Sequence, residues 1–446
     1  ERENYTFSGW SEDKAADAAT YTDKAMFTAT KDTSLYAVWE ANVTIAIEGS
    51  TATITIPDDA KDTRVQHAVT EALAGNATLL MINDQLTDAQ QTAIATALTG
   101  KSDIALVMGG VTAPTTTITE LAAIDLAYKN GTGENAYAVA SDGTHIITGK
   151  DGLDAWNTAA TSDVSTNLTL ACDIEYNANW SRLEVTYNGT INGDGHTITG
   201  LHINNNSDNQ GFIRVLGEGG TVKNLTFADA HMTAGQYSGI VVGFSEGTIE
   251  NCHVISGSLT TTGSYAGGIV GENGGKVKNC TNAATITVAQ GVTGIYCFGG
   301  IVGSNAVLGT VMGCINTGAI SSGNYNTGGV VGWNDGVVVA CSNMEAVTGT
   351  GTTGGIVGVS AQYHTRTIGS WTIVTNESDV ESDGVGAKDF GTVTGCFTGD
   401  AATINDKVSE MNAAIATYNE TAAEGKTCPY TWQAGTDGYP TLVKGE

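Results

Sequence analysis

From residue 239 onward the chain repeats one arrangement of glycine and apolar positions. The copies are Gly239-Ile240-Val241-Val242-Gly243, Gly267-Gly268-Ile269-Val270-Gly271, Gly299-Gly300-Ile301-Val302-Gly303, Gly328-Gly329-Val330-Val331-Gly332 and Gly354-Gly355-Ile356-Val357-Gly358. Their closing glycines are spaced by 28, 32, 29 and 26 residues. Four copies are followed by a second short run that ends in cysteine: Thr248–Cys252, Lys276–Cys280, Thr310–Cys314 and Val337–Cys341. A less regular copy runs from Gly211 through Thr221–Leu225, and a degenerate one is Thr392–Cys396. β-branched runs split by Gly or Asn, without a helical period, read as short strands. One such unit cannot bury its apolar face alone, whereas stacked units can. The pattern therefore predicts a parallel β-solenoid whose coils bond to one another at ~4.8 Å.

The remaining chain alternates differently. Residues 41–56 read as two strands, Asp62–Ala74 as a helix closed by Gly75, and Thr78–Ile82 as a strand. A second helix opens on the capping pair Thr87 and Gln90 and stops at Gly100, and the strand Ile104–Met108 follows. That order predicts a small α/β domain or lead-in. Asp151–Ala160 is expected to be a helix capping the first coil. Ile404, Val408, Met411, Ile415 and Tyr418 are spaced as an amphipathic helix expected to cover the other end. The expected divisions are residues 1–40, 41–140, 141–400 and a C-terminal cap at 401–446.

The repeats resemble the GLUG-motif family of bacterial extracellular proteins. The matching residues are the five copies above, Gly219–Leu225, and the lead-in Gly189–Ile198. The resemblance spans roughly residues 145–400. It implies a right-handed parallel β-helix displayed on the bacterial surface or secreted, in a family associated with adhesins and with an accessory region of IgA-cleaving metallopeptidases. Tyr5–Trp10 together with Thr33–Trp39 is similar to the second half of the Listeria–Bacteroides repeat, which implies a partial β-grasp-like module. The fold class expected is thus mostly β: a capped parallel β-helix preceded by a small α/β segment and that partial module.

Composition narrows the partners. Lys plus Arg number 19 against 47 Asp plus Glu, a formal net charge of −28, which disfavours nucleic acid and anionic membrane surfaces. No stretch of ~18 apolar residues is present, so no insertion into a bilayer is expected from this chain. It opens Glu1-Arg2-Glu3-Asn4 and reads as a piece of a longer protein. The 58 glycines against 4 prolines fit repeated tight corners.

Catalytic chemistry finds little purchase in the sequence. None of the seven histidines lies in HExxH, so the peptidase activity of some family members does not carry over. The sparse acids of residues 201–360 offer no evident pair on one face. Asp194 and His196 form a tempting dyad, but Asn192 and the flanking glycines read as a turn. Cys252, Cys280, Cys314 and Cys341 step by 28, 34 and 27 residues and are expected to point inward as a ladder of free thiols. Asn282, Asn316 and Asn343, each two residues after a ladder cysteine, suggest an amide ladder. Glu377, Asp379, Glu381 and Asp383 are the candidate metal ligands: alternating carboxylates suit calcium, with a solvated acidic loop as the competing reading. No other cofactor is expected.

The candidate ligand-binding residues are aromatic. Tyr237, Tyr265, Tyr296 and Tyr325 lie six, six, seven and seven residues before Gly243, Gly271, Gly303 and Gly332. One tyrosine per coil makes either a packed ladder or a platform for a glycan or an extracellular protein. The function expected is a non-catalytic adhesin or ligand-binding domain. A polysaccharide-processing β-helix enzyme and a passive stalk are the alternatives.

Overall fold

A computed structural model of the chain describes residues 2–16, 18–28, 32–82, 84–109, 115–119, 121, 123–322, 325–349, 351–360, 366–372, 385–388, 392–423, 425–436 and 438–445. It divides into two compact units, Glu1–Gly152 and Leu153–Glu446.

In the first unit, Tyr5–Ser11 pairs antiparallel with Tyr36–Ala41. A five-stranded sheet follows in sequential order: Thr44–Glu48, Thr51–Thr55, Leu79–Ile82, Ile104–Met108 and Ile124–Tyr128. Its first pair is an antiparallel hairpin and the other pairs are parallel. The helices Asp62–Ala74 and Asp88–Leu98 supply the crossovers. At the second helix the Thr87 hydroxyl accepts from Gln90 N, and the Gln90 side chain accepts from Thr87 N. Every residue of Ile104–Met108 is buried, the signature of a parallel strand covered on both faces.

The second unit is a parallel β-solenoid. One inward column runs Ile191, Val222, Ile249, Val277, Val311, Val338 and Thr367, each paired in register with the next. A second, eight-stranded parallel sheet passes through Val242–Ser245, Val270–Asn273, Val302–Asn305 and Val331–Asn334. A third has five strands, from Ser238–Gly239 to Thr353–Gly354.

The glycines of the repeat join these last two sheets. A Cβ on Gly239, Gly267, Gly299 or Gly328 would run into the carbonyl oxygen of Val242, Val270, Val302 or Val331. The Gly-apolar-Gly run is therefore a turn in which backbone packs on backbone, a place only glycine fits.

Inside the coils, polar side chains bond along the axis. Asn282 Nδ2 donates to Asn316 Oδ1 at 3.0 Å, and Asn316 Nδ2 to Asn343 Oδ1 at 2.8 Å. A second ladder joins Asn273, Asn305 and Asn334 at 2.9 and 2.8 Å. All six side chains are fully buried, so each amide must find its partners inside the protein. A third ladder links the strand residue Asn192 to the left-handed corner residues Asn224, Asn251 and Asn279. All eight cysteines are buried and unbridged. The Cys252, Cys280, Cys314 and Cys341 thiols point inward, each donating to a carbonyl two residues earlier.

The N-terminal helix spans Lys150–Ser162, close to its expected position. Its Trp156 is fully buried, with ring centroids 5.5 Å from Tyr187 and 6.2 Å from Phe212, and so plugs the first coil.

The C-terminal segment differs from expectation. Its helix is broken at Lys407 into Ala401–Asp406 and Val408–Thr421, and its apolar side lies along a flank of the solenoid. The reason lies in one corner column with φ near +55°: Asn224, Asn251 and Asn279 are succeeded there by Gly313, Ala340, Gly369 and Gly395. With no side chain larger than the Ala340 methyl, the corner leaves room for the C-terminal segment. Tyr430 lies over Gly313, Met411 and Ile415 over Gly369, and Ala414 over Gly395. Trp432 Nε1 donates to Gly369 O at 2.7 Å. Outward-facing Met312, Val339, Ile368 and Trp371 complete this second core.

Candidate functional site

The four tyrosines occupy two register columns, not one. Ser238, Ala266, Phe298 and Thr327 are partners across successive coils. The residues just before them are Tyr237, Tyr265, Cys297 and Asn326, all left-handed, with φ of 54°, 64°, 70° and 58°. Tyr296 and Tyr325 are partners of each other one residue earlier. The counts of six, six, seven and seven already contained this offset.

The two columns differ in what they leave free. The Tyr237 and Tyr265 rings stack 4.7 Å apart with planes 4° from parallel, so each covers a face of the other. Both are half-buried. Tyr265 meets Tyr296 edge-on at 5.5 Å and hydrogen-bonds its hydroxyl. Burial, and then that hydrogen bond, push the Tyr265 hydroxyl well above the usual phenol range. Tyr296 and Tyr325 are 42% and 56% exposed. Tyr325 lies against Gly351, the residue of the next coil that lacks a side chain.

A neighbouring outward column adds groups that tyrosine spacing alone does not reveal. Phe244, Glu272, Ser304, Trp333 and Val359 are in register, each directly after the closing glycine of its repeat. Phe244 meets Tyr237 edge-on at 6.5 Å. Glu272 is half-buried; its desolvation, then the Asp335 charge, hold its carboxyl above the usual range. Both carboxylates also act on Cys297, whose thiol burial pushes up to about 12. Asp335 Oδ1 is shielded from solvent and has no hydrogen-bond partner among the described residues. Folding thus brings two acids 63 positions apart into one electrostatic neighbourhood, a pairing the linear spread of acids concealed. The signal available in the sequence was the residue following each Val-Gly.

The other expected constellations resolve as follows. Asp194 has φ 52° and its amide donates to Asn192 Oδ1, the expected turn. His196 instead approaches Asp173, at 3.3 Å. His231 Nε2 lies 2.9 Å from Asp229 Oδ1 and its Nδ1 2.9 Å from Ser258 Oγ. This resembles a hydrolytic triad, but His253 bridges Asn251 and Thr281 in the same way with no carboxylate. Both imidazoles serve as links between adjacent coils. Glu377, Asp379, Glu381 and Asp383 lie outside the described residues. Among the described residues no group of three or more His, Cys, Asp or Glu is placed to hold a metal ion.

The model of the GLUG motif matches residues 262–287, one coil that includes Tyr265 and Glu272. Over 66 residues the chain is 42% identical to halomucin of Haloquadratum walsbyi, 15% of this chain and 1% of halomucin. The chain thus spans about 1% of the length of the curated relative it matches. No solved structure matches it. Neither the motif nor that relative's name denotes an enzyme. Among the described residues, no helix is long and apolar enough to cross a membrane.

Proposed function

We propose that this chain is a non-catalytic ligand-binding region of an extracellular bacterial surface or secreted protein, acting in adhesion. The observation that carries the reading is the pair of exposed rings, Tyr296 and Tyr325, held in register on consecutive coils of a rigid scaffold. Tyrosine offers a large apolar face and a polar hydroxyl with few rotatable bonds to freeze, which suits recognition. The GLUG coil and the similarity to halomucin support the surface setting. The partner is a glycan or an extracellular protein.

The test is a glycan and extracellular-protein array probed with the wild-type chain, Tyr296→Ala and Tyr325→Ala. Binding lost in both variants at unchanged melting temperature supports the reading. Binding unaffected by both, or no binding at all, overturns it and leaves the stalk. Tyr265→Ala is the control for packing, expected to lower stability by ~1–3 kcal/mol because its ring is half-buried.

A polysaccharide-processing enzyme is the second reading, favoured by the Glu272 and Asp335 neighbourhood, because a carboxyl whose pKa is raised near a second carboxylate is the equipment of glycoside hydrolysis. Release of reducing ends from a soluble polysaccharide, lost in Glu272→Gln, would replace the binding reading with this one.

A further inference from the structure

We propose that the aromatic face binds an uncharged polysaccharide chain lying along the solenoid axis, with sugar rings on Tyr296, Tyr325 and Trp333 and sugar hydroxyls donating to Glu272 and Asp335. The inference rests on the ligand-binding reading and adds the chemical class of the ligand.

Two arguments select that class, and the first is spacing. Rings on the face recur from coil to coil at the strand separation of ~4.8 Å, so the array extends along the axis. Tyr296 and Tyr325 are partners in one column, and Trp333 pairs with Ser304 in the next. The three rings span two consecutive coils and two adjacent columns, a patch that a chain of linked sugar rings can lie across.

The second argument is charge. The columns that form the face hold Tyr, Phe, Trp, Ser, Asn, Cys, Glu and Asp in these coils, and no lysine or arginine. Its two acids would repel sulfated and uronic-acid chains, as would the net charge of −28. A sugar hydroxyl, in contrast, can donate to a partly exposed carboxylate such as that of Glu272 without bringing a charge of its own. A protein partner would need complementary basic groups aimed at both acids, whereas an uncharged glycan meets them with hydroxyls alone.

The experiment is affinity electrophoresis of the full chain in gels containing a mixed-linkage β-glucan, a galactomannan or a dextran. Dextran sulfate and polygalacturonate serve as the anionic counterparts. The expected result is retardation by at least one uncharged polymer and by neither anionic one. Trp333→Ala and Tyr325→Ala should each weaken it about tenfold, a typical aromatic contribution. Glu272→Gln should weaken it at neutral pH. Thermal melting of each variant reports folding, and Tyr325, the most exposed ring, is the substitution that tests the face with least risk to the fold. Retardation by an anionic polymer that depends on Tyr325 would overturn the assignment while leaving the binding reading intact. So would capture of a purified protein through Tyr325 with no retardation by any uncharged polymer. Retardation unaffected by Trp333→Ala and Tyr325→Ala would remove this face from both.

Discussion

At the scale of single residues, tyrosines in adjacent columns do opposite things. Tyr265 spends one ring face on Tyr237 and its hydroxyl on Tyr296, whereas Tyr325 keeps more than half its surface in solvent. Glu272 is the residue whose titration is most informative. Burial and the Asp335 charge raise its folded pKa above the unfolded value of about 4.3. The native state therefore holds its proton more tightly than the unfolded chain. Stability falls as pH rises from that unfolded value through the raised folded one. Glu272→Gln removes the penalty, so the variant should melt higher than wild type at pH 7, with the difference vanishing near pH 4. A variant that melts lower at pH 7 would show that the carboxylate is stabilising in the fold. The position directly after each Val-Gly made this residue findable in sequence. What could not be read there was its proximity to Asp335, because that depends on how two coils of unequal length stack.

At the scale of elements, the ladders bear most of the specificity. Asn316 accepts from Asn282 and from Gly318 N, and donates to Asn343 and to Gly318 O, all in the interior. Asn316→Ala leaves several of these groups without partners and should cost about 3 kcal/mol, read as an earlier denaturant transition of the solenoid. The neighbouring ladder ends instead of breaking. Asn334 is in register with Ser360, and both Asn334 Nδ2 and Ser360 Oγ lack partners among the described residues. Ser360→Asn offers the missing acceptor and should raise the melting temperature by a few degrees, the scale of about 1 kcal/mol. No gain, or a loss, would mean that the column is too tight for a fourth amide at that point. The Asn282 ladder was legible from its constant distance to the cysteines. The Asn273 ladder had the same kind of signal, Asn two residues after the closing glycines Gly271, Gly303 and Gly332, but was overshadowed by the glycines themselves.

At the scale of the whole molecule, the irregular repeat spacing has a local cause. Leu259 to Ala266 spans seven positions, while the corresponding Ile286 to Phe298 spans twelve; Asn273 to Lys276 spans three, and Asn305 to Thr310 five. Both insertions fall between Cys280 and Cys314, which is why that cysteine step is 34 and its neighbours 28 and 27. The loops absorb the extra residues and the inward columns keep their register. Thiol labelling of native protein should accordingly spare Cys280, Cys314 and Cys341 and proceed rapidly only after denaturation. The C-terminal brace makes a separate expectation. Removing residues 401–446 would bare Met312, Val339, Ile368 and Trp371 on the flank. That truncation should increase binding of an apolar dye and lower the melting temperature, while a chain indifferent to it would show that the brace is not needed for folding.

The sequence by itself determined that the second unit is a stack of short parallel strands. Inward positions, turns and buried polar groups recur at near-constant intervals, and a side chain that must be buried in one coil must be buried in the next. It determined the inward cysteines and the helix capping the first coil for the same reason, since burial is dictated by local pattern and period. The tertiary structure alone decided which outward residues share a surface. Outward positions have no pattern to protect, and a shift of one residue moves Tyr296 and Tyr325 out of the column of Tyr237 and Tyr265. It likewise decided where the C-terminal helix lies. An amphipathic period shows that one face must be covered but not by what, and here the cover is a corner stripped of its side chains at Gly313, Gly369 and Gly395.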